Sequence, residues 1–294
     1  MPRYPDDLRA TVEDYLGSLR FSEEPATATL DEAMRYSLLA GGKRIRPVLT
    51  LATTRALGRD PLELLPIAAA IELVHTYSLI HDDLPAMDDD ELRRGRPTCH
   101  IAYGENVAIL AGDGLFAEAY KLVLERQAGA PEHVVAALSE LSRAISVGGM
   151  VGGQYIDVAT EEALDEDGLR HMHSLKTGKL IAASVVVAAL MLGSGEAATI
   201  GLRRFADELG VLFQIVDDIL DVTGTQEETG KARGTDERLG KQTYVSVFGV
   251  ERARELAQTS HGNVRAALGD ARPALPGDVS ALEQITDFVY SRES

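Results

Sequence analysis

Apolar residues recur at steps of three and four along most of the 294-residue chain, and this is the spacing of one face of an α-helix. The segment from Leu62 to Ile80 is apolar on nearly every side, which is typical of a helix in the centre of a bundle. Asp60 followed by Pro61 is a favourable helix start. Pro85 should end or kink the helix. The pattern therefore predicts a buried central helix.

The remaining chain predicts further helices joined by short loops. Asp165 should cap a second long helix, and Gly195 should begin a third. Shorter helices are expected at about 6–20, 28–40, 43–57, 111–128, 132–147, 247–269 and 278–291. Loops are expected near 41–42, 85–97, 148–153 and 223–240. Because alternation suited to strands is nearly absent, the predicted fold class is all-α, in a single domain over residues 1–294.

Composition and charge narrow the possible partners. Acidic residues number 46 against 29 Lys and Arg, so the formal net charge is -17 and the surface should repel nucleic acid and anionic lipid. Cys99, the one cysteine, excludes an internal disulfide and a zinc site built from cysteines, and it fits a reducing compartment. The apolar stretch Leu180–Leu192 is shorter than a membrane span. We therefore expect a cytoplasmic protein without nucleic acid partners or stable membrane insertion.

Two clusters of aspartates stand out in this chain. Residues 82–91 hold six carboxylates in ten positions, directly after the central helix. A helix C-terminus carries partial negative charge, so acids there are unfavourable unless a cation binds. Residues 217–221 hold three more carboxylates in strongly apolar surroundings, where such groups protonate, pair or bind a metal. We favour hard cations, with Mg²⁺ first. The alternatives are a solvated helix end for the first cluster and an ion-pair cluster for the second.

Basic residues lie beside both clusters, where a bound diphosphate would need them. They are Lys43, Arg44, Arg46, Arg93, Arg94, Arg96, Lys176, Lys179, Lys231 and Lys241. Arginine suits bidentate phosphate contacts, and lysine supplies a point charge. Taken singly, each is equally consistent with an exposed helix end. His75 lies about two helical turns before Asp82 and is either a core residue or a ligand.

The chain closely resembles the trans-isoprenyl diphosphate synthases in a series of motifs, which are, in order, GGKRIRP, HDDLPAMDDDELRRGRPTCH, KTGKL, FQIVDDILD, GKARGTD and GKQTY. The similarity covers about residues 30–250 and is greatest to the bacterial farnesyl diphosphate synthases. It implies the isoprenoid synthase fold, a many-helix bundle around a deep central cavity, assembled as a homodimer. It also implies condensation of isopentenyl diphosphate with an allylic diphosphate, with about three Mg²⁺ ions per site.

The resemblance also implies roles for individual residues. The metal ligands would be Asp82, Asp83, Asp88, Asp217, Asp218 and Asp221. The allylic diphosphate would be contacted by Arg93, Lys176, Lys231 and Lys241. Isopentenyl diphosphate would be contacted by Gly42, Lys43, Arg46, His75 and Arg94. Thr177 and Gln214 would lie beside the reacting carbons and, with Lys176 and Lys231, form the catalytic set.

Product length depends, by analogy with the family, on side chains just before the first aspartate cluster. Tyr77 and Ser78 hold the fifth and fourth positions before Asp82, and a bulky Tyr77 at the pocket floor predicts a C15 product, farnesyl diphosphate. A C20 product is the alternative if the floor lies elsewhere. The tail carries one cation, Arg292, so we expect it to contribute little to closing the site.

Two rival functions share this fold. A terpene cyclase needs no second diphosphate pocket, and the cations at Lys43, Arg46 and Arg94 argue against it. A non-catalytic subunit of a synthase usually lacks an aspartate motif, whereas both motifs are intact here.

Overall fold

The computed structural model describes residues 4–159, 164–224 and 241–292, and its regular structure is almost entirely helical. In chain order the helices are α1 (Asp6–Ser18), α2 (Ala28–Leu38), α3 (Ile45–Ala56), α4 (Leu65–Asp82), α5 (Cys99–Tyr103), α6 (Glu105–Arg126), α7 (Pro131–Ile145), α8 (Met150–Ala159), α9 (Glu166–His173), α10 (Lys179–Met191), α11 (Glu196–Thr223), α12 (Tyr244–Phe248), α13 (Val250–Ala271) and α14 (Ser280–Ser291). Short 3₁₀ turns lie at Pro25–Thr27, Pro61–Leu64 and Arg272–Ala274. The all-α class is confirmed.

Helix α4 is the buried central helix that the sequence predicts. Every residue from Ile67 to Val74 is buried, and the helix packs against α3 and α6. The 3₁₀ turn Pro61–Leu64 leads into α4 and begins with a capping box: the Asp60 side chain accepts from the Leu62 N–H at 3.0 Å, and the Asp60 N–H donates to Glu63 Oε1 at 3.2 Å. The helix ends at Asp82, three residues before Pro85. The first aspartate cluster therefore begins where α4 leaves the core.

The second predicted long helix is continuous but contains a wider turn. The Asp165 carboxylate accepts from the Gly168 N–H at 2.8 Å and caps α9. Between α9 and α10 lies a π-helical turn, Ser174–Gly178, which carries Lys176 and Thr177. Such turns are frequent at functional sites, because they change the direction in which side chains leave a helix. Helix α10 is buried along nearly its whole length and packs against α3, α7 and α11.

Three parts of the structure differ from the predicted elements. A turn at 147–149 precedes helix α8, so the last four residues of the loop expected at 148–153 are helical. A Cβ at Gly153 would lie 2.2 Å from the Lys176 backbone nitrogen, so only glycine lets α8 approach the π turn. Helix α6 begins at Glu105, six residues earlier than expected. The loop after α4 contains a small antiparallel pair, β1 (Leu92–Arg93) and β2 (Arg96–Pro97), which was not predicted.

Three helical runs in the described residues are long and apolar enough to cross a membrane by length and composition alone. They are Pro61–Asp82, Pro131–Ala159 and Glu166–Met191. The third contains the stretch Leu180–Leu192 almost entirely, so the argument that this stretch is too short does not hold. In the most apolar 18 residues of the first and third runs, 61% and 67% of the residues are buried inside the protein.

Candidate active site

One cavity of about 580 Å³ opens among α3, α4, α8, α11 and the π turn. Its lining brings together members of both aspartate clusters and of the cationic motifs. They include Arg46, His75, Tyr77, Ser78, Asp82, Arg93, Arg94, Lys176, Thr177 and Asp217. A volume in this range suits a small organic ligand with a long apolar part. The cavity is therefore the candidate active site.

The first aspartate cluster presents its carboxylates in different ways. Asp82 lines the cavity, where burial and the nearby Asp88, opposed by Lys176, raise its pKa to about 6. Asp83 is buried and accepts from Arg93 Nε at 2.8 Å and from Arg93 Nη2 at 2.5 Å. Asp88 accepts from Lys241 Nζ at 2.8 Å. Asp82 is thus the carboxylate of this cluster that most needs a cation.

The second aspartate cluster also contains one carboxylate that lines the cavity and one that is buried among hydrogen-bond donors. Asp217 lies on the cavity wall with 56% of its side chain exposed. Asp218 is buried and accepts from Gln214 Nε2 at 2.6 Å and from the Tyr244 N–H at 2.7 Å. Gln214 Oε1 in turn accepts from the Thr177 hydroxyl at 2.8 Å. The chain of hydrogen bonds fixes the two polar groups expected beside the reacting carbons.

These carboxylates fit magnesium that arrives together with a substrate. Oxygen donors suit Mg²⁺, which in proteins takes one or two carboxylates and completes its shell with water and phosphate oxygens. Within residues 4–159, 164–224 and 241–292, no three acidic, histidine or cysteine side chains lie close enough to hold a metal ion by themselves. Burial raises the pKa of Asp82 although Lys176 and Arg93 oppose it, so a bound cation would favour its anion. Asp82 and Asp217 line one cavity, so a bound diphosphate could share ions with both.

Lys176 owes its position to Asp157 on α8, a residue that the sequence did not single out. Lys176 Nζ donates to Asp157 Oδ2 at 2.6 Å, and Lys241 Nζ lies 3.9 Å from the same oxygen. Burial would lower the pKa of Lys176, but Asp157 and Asp82 raise it above its ordinary value. The lysine therefore stays charged. Lys231, the remaining lysine of the predicted set, lies outside the described residues.

Arg46 and Arg94 form a second group of cations on the cavity lining, and Arg94 packs against Gly42. Gly42 has φ +124°, and a Cβ there would lie 2.8 Å from Arg94 Cζ, so glycine lets the guanidinium pack on the backbone. Arg94 also donates to the Gly41 carbonyl. Burial lowers the pKa of Arg46 to about 10, which still leaves it charged. Burial, Arg46 and Arg94 hold the pKa of His75 well below its usual value, so His75 is neutral.

Two members of the GGKRIRP motif lie away from the cavity lining. Lys43 is exposed, with its ammonium 5.2 Å from the Phe288 ring. Arg44 is fully buried in a structural ion-pair network. It donates to Glu13 at 2.8 Å and to Glu72 at 2.8 Å. Arg44 therefore fixes the start of α3, while Arg46 faces the cavity.

The C-terminal tail reaches the site, contrary to our expectation that it would contribute little. The Arg292 guanidinium stacks over Phe213, 4.5 Å from its centroid, and lies 4.0 Å from Asp217 Oδ1. Its Nε and Nη2 have no hydrogen-bond partner among the described residues. Arg46 lies 5.8 Å from the same Phe213 ring. Two cations therefore share one aromatic side chain at the cavity wall.

Gln154 is a further cavity residue that the sequence did not indicate. Both atoms of its amide are buried and lack a hydrogen-bond partner in the part of the chain that the structure describes. It lies on α8 with Asp157, three positions away. In the sequence, Gln154 and Asp157 follow a glycine pair with the spacing Gln-x-x-Asp. That pattern could have indicated a site only if α8 were already known to face the cavity.

Comparison with known proteins identifies the family. A sequence profile described as polyprenyl synthetase matches residues 27–275. The chain belongs to the polyprenyl synthetase family of prenyltransferases. The match covers 249 of 294 residues and includes both aspartate clusters and most of the cationic motifs.

Individual relatives carry two different product names. The chain is 41% identical to the farnesyl diphosphate synthase of Escherichia coli, over 98% of this chain and 99% of that protein. It is 48% identical to geranylgeranyl pyrophosphate synthase 3 of Arabidopsis thaliana, over 78% of this chain and 66% of that protein, slightly less than two thirds of its length.

A solved geranyltransferase from Helicobacter pylori, complexed with magnesium and isoprenyl diphosphate, matches the fold with a TM-score of 0.90. It is 34% identical, and the match covers 97% of this chain and 96% of that one. The fold is therefore that of the isoprenoid synthases, as the resemblance implied.

Proposed function

We propose that this protein condenses isopentenyl diphosphate head-to-tail with dimethylallyl or geranyl diphosphate to give farnesyl diphosphate and pyrophosphate. The observation that supports it most is that one cavity is lined by two sets of charged side chains. Asp82, Asp217 and Lys176 make up the first set, which we call the first region, and Arg46 and Arg94 make up the second. Two diphosphates need two such regions, whereas a terpene cyclase needs one.

Residues of the first region would bind and ionise the allylic diphosphate. Asp82, Asp88, Asp217 and Asp221 would hold magnesium, about three ions, which when bound offsets the charge that grows on the departing diphosphate. Lys176 is charged and donates to Asp157, while Lys241 donates to Asp88 and lies 3.9 Å from Asp157 Oδ2. We infer that Asp83 and Asp218 act indirectly, since Asp83 holds Arg93 and Asp218 holds Gln214. Fixed cations of this kind lower the barrier most in a site that excludes water.

Residues of the second region would hold isopentenyl diphosphate with its double bond towards the first. The Arg94 guanidinium on Gly42, Arg46 and neutral His75 supply the charge and the hydrogen bonds. Ionisation leaves an allylic cation, the double bond attacks it, and one proton is lost, which the released pyrophosphate can accept. This route needs no side-chain nucleophile. Holding the two reacting carbons in contact supplies much of the rate enhancement.

We propose the C15 product because an aromatic side chain lies along the cavity directly below the first cluster. Tyr77 lines the cavity one helical turn before His81, and burial, with Asp82, raises its phenol pKa to about 12. The ring therefore stays neutral and can end an apolar tunnel. The relatives include both farnesyl and geranylgeranyl synthases, so C20 is the second candidate.

We further propose a homodimer, with cytoplasmic location. Helix α6 exposes Ile109, Leu110, Phe116 and Leu124, an apolar set that a second copy would cover. The proposals that nucleic acid is not a partner and that the protein does not insert stably into membranes rest on the net charge and on burial.

A product assay tests the proposed function. The purified protein would be given Mg²⁺, isopentenyl diphosphate and, separately, C5, C10 or C15 allylic diphosphates, and products would be sized by chromatography. We expect a C15 product from the first two primers and no extension of the third. A C20 product would refute the proposed length, and no product from any primer would refute the condensation.

Tyr77→Ala should lengthen the product, and an unchanged product would place the floor elsewhere.

A further inference from the structure

Behind Tyr77 lies a column of aromatic rings that ties three helices together. The Tyr77 ring of α4 meets the Phe116 ring of α6 edge-on, at 5.2 Å between centroids and 77° between planes. Phe116 meets Tyr120 in the same way, at 5.3 Å and 63°. The Tyr120 hydroxyl shares a hydrogen bond of 3.0 Å with Ser142 Oγ on α7. We call Tyr77, Phe116 and Tyr120 the aromatic column.

Tyr77 is the member of the aromatic column that reaches the cavity in the part of the chain that the structure describes. Phe116 lies one layer behind it, with 37% of its side chain exposed on the outer surface of α6. On its other side Tyr77 meets His81 edge-on at 5.8 Å. His81 is itself held, because its Nε2 is 3.0 Å from the Ile109 carbonyl and its ring packs on Gly112. Phe116 and His81 therefore hold the Tyr77 ring from two sides.

We propose that Phe116 is a positioning residue that sets product length by keeping the Tyr77 ring across the end of the cavity. The proposal rests on the proposed function and adds a residue that does not touch the substrate. A tyrosine on a helix has two common χ1 rotamers, so removing the ring behind it opens space for the second one. A lost edge-to-face aromatic pair is worth about two- to tenfold in the population of the paired rotamer.

The test compares Phe116→Ala and Phe116→Leu with the wild type. The readout is the ratio of C20 and longer products to C15 when the C15 primer and isopentenyl diphosphate are supplied. We expect the ratio to rise about two- to tenfold in both variants, while kcat/KM for the C5 primer changes by less than about twofold. The leucine variant keeps apolar bulk, so it stays informative if the alanine variant folds poorly. Glu125→Ala, an exposed change on the same helix, should leave the ratio unchanged.

A double variant separates positioning from a general loosening of α6. If Phe116 acts through Tyr77, Phe116→Ala should add nothing to the product shift of Tyr77→Ala. An additional shift of the same size in the double variant would overturn the proposal, as would unchanged ratios in both single variants. Molar mass in solution, measured for every variant, must match the wild type, because a loss of dimer that accounted for the shift would also overturn it. Failure of the proposed function appears separately, in the wild-type products.

Discussion

Replacing Asp157 should slow the reaction without unfolding the protein, because this carboxylate holds Lys176, which we propose to be a catalytic lysine. Its side chain is only 6% exposed and accepts from Lys176 Nζ at 2.6 Å. A charge-assisted hydrogen bond contributes about 1.5–3 kcal/mol. If that energy positions Lys176 for the transition state, its loss lowers turnover by about 10- to 150-fold. We expect Asp157→Ala to lie in this range and Asp157→Asn, which keeps an acceptor oxygen, at its lower end.

The assay is kcat and KM for the allylic diphosphate at saturating Mg²⁺ and isopentenyl diphosphate. The matched control is Asp270→Ala, which breaks an ion pair with Arg204 whose two side chains are 66% and 68% exposed. Exposed pairs contribute about 0–1 kcal/mol, so the control should behave as the wild type. In a protein that already carries Lys176→Met, adding Asp157→Ala should lower kcat/KM little further. A kcat/KM of Asp157→Ala within about twofold of the wild type would refute the positioning argument.

Three further predictions concern metal binding, stability and pH. Asp82→Ala and Asp217→Ala should each lower kcat by several orders of magnitude with an unchanged circular dichroism spectrum, and near-normal turnover would contradict the metal assignment. Glu72→Gln removes a buried partner of Arg44, 2.8 Å away, and should lower the free energy of unfolding in urea by about 3 kcal/mol. Burial lowers the pKa of His173 to about 4 from 6.5, so stability is complete above pH 6.5 and falls by about 3 kcal/mol as pH drops to 4. His173→Gln should flatten that part of the pH–stability curve, and an unchanged slope would show that other groups cause it.

The fold could be predicted from the sequence because hydrophobic periodicity determines which faces are buried. The buried helix α4 and the long run capped by Asp165 were predicted on that basis and are confirmed, whereas Asp60 caps the 3₁₀ turn that precedes α4. Helix α8 was missed for a physical reason, since glycine is a turn signal locally but a packing requirement once α8 meets the π turn. The local sequence pattern contains no information about the packing of α8 against the π turn.

The sequence allowed us to predict which types of residue form the site. It did not allow us to predict which of those residues pair with one another. Arg44 and Arg46 lie two positions apart in one motif, yet the first is buried against Glu72 and the second lines the cavity. Arg44 is the left-handed residue, φ 53°, that precedes α3, whereas Arg46 lies in the first turn of that helix. Asp157 was missed because its role is defined by Lys176, which is 19 residues away and on another helix.

The pairing also explains how an acidic protein can hold two anionic substrates. Arg93 is held by Asp83 and Lys176 by Asp157, so each cation is fixed in place by a carboxylate that we do not place among the main metal ligands. Lys241 is different, because its partner Asp88 is itself a proposed ligand. With a diphosphate and Mg²⁺ bound, Asp88 would be a ligand for the metal and Lys241 would supply positive charge to the phosphate. The other pairs need not break, and the cations that stabilise the leaving group are already in position when the substrate binds.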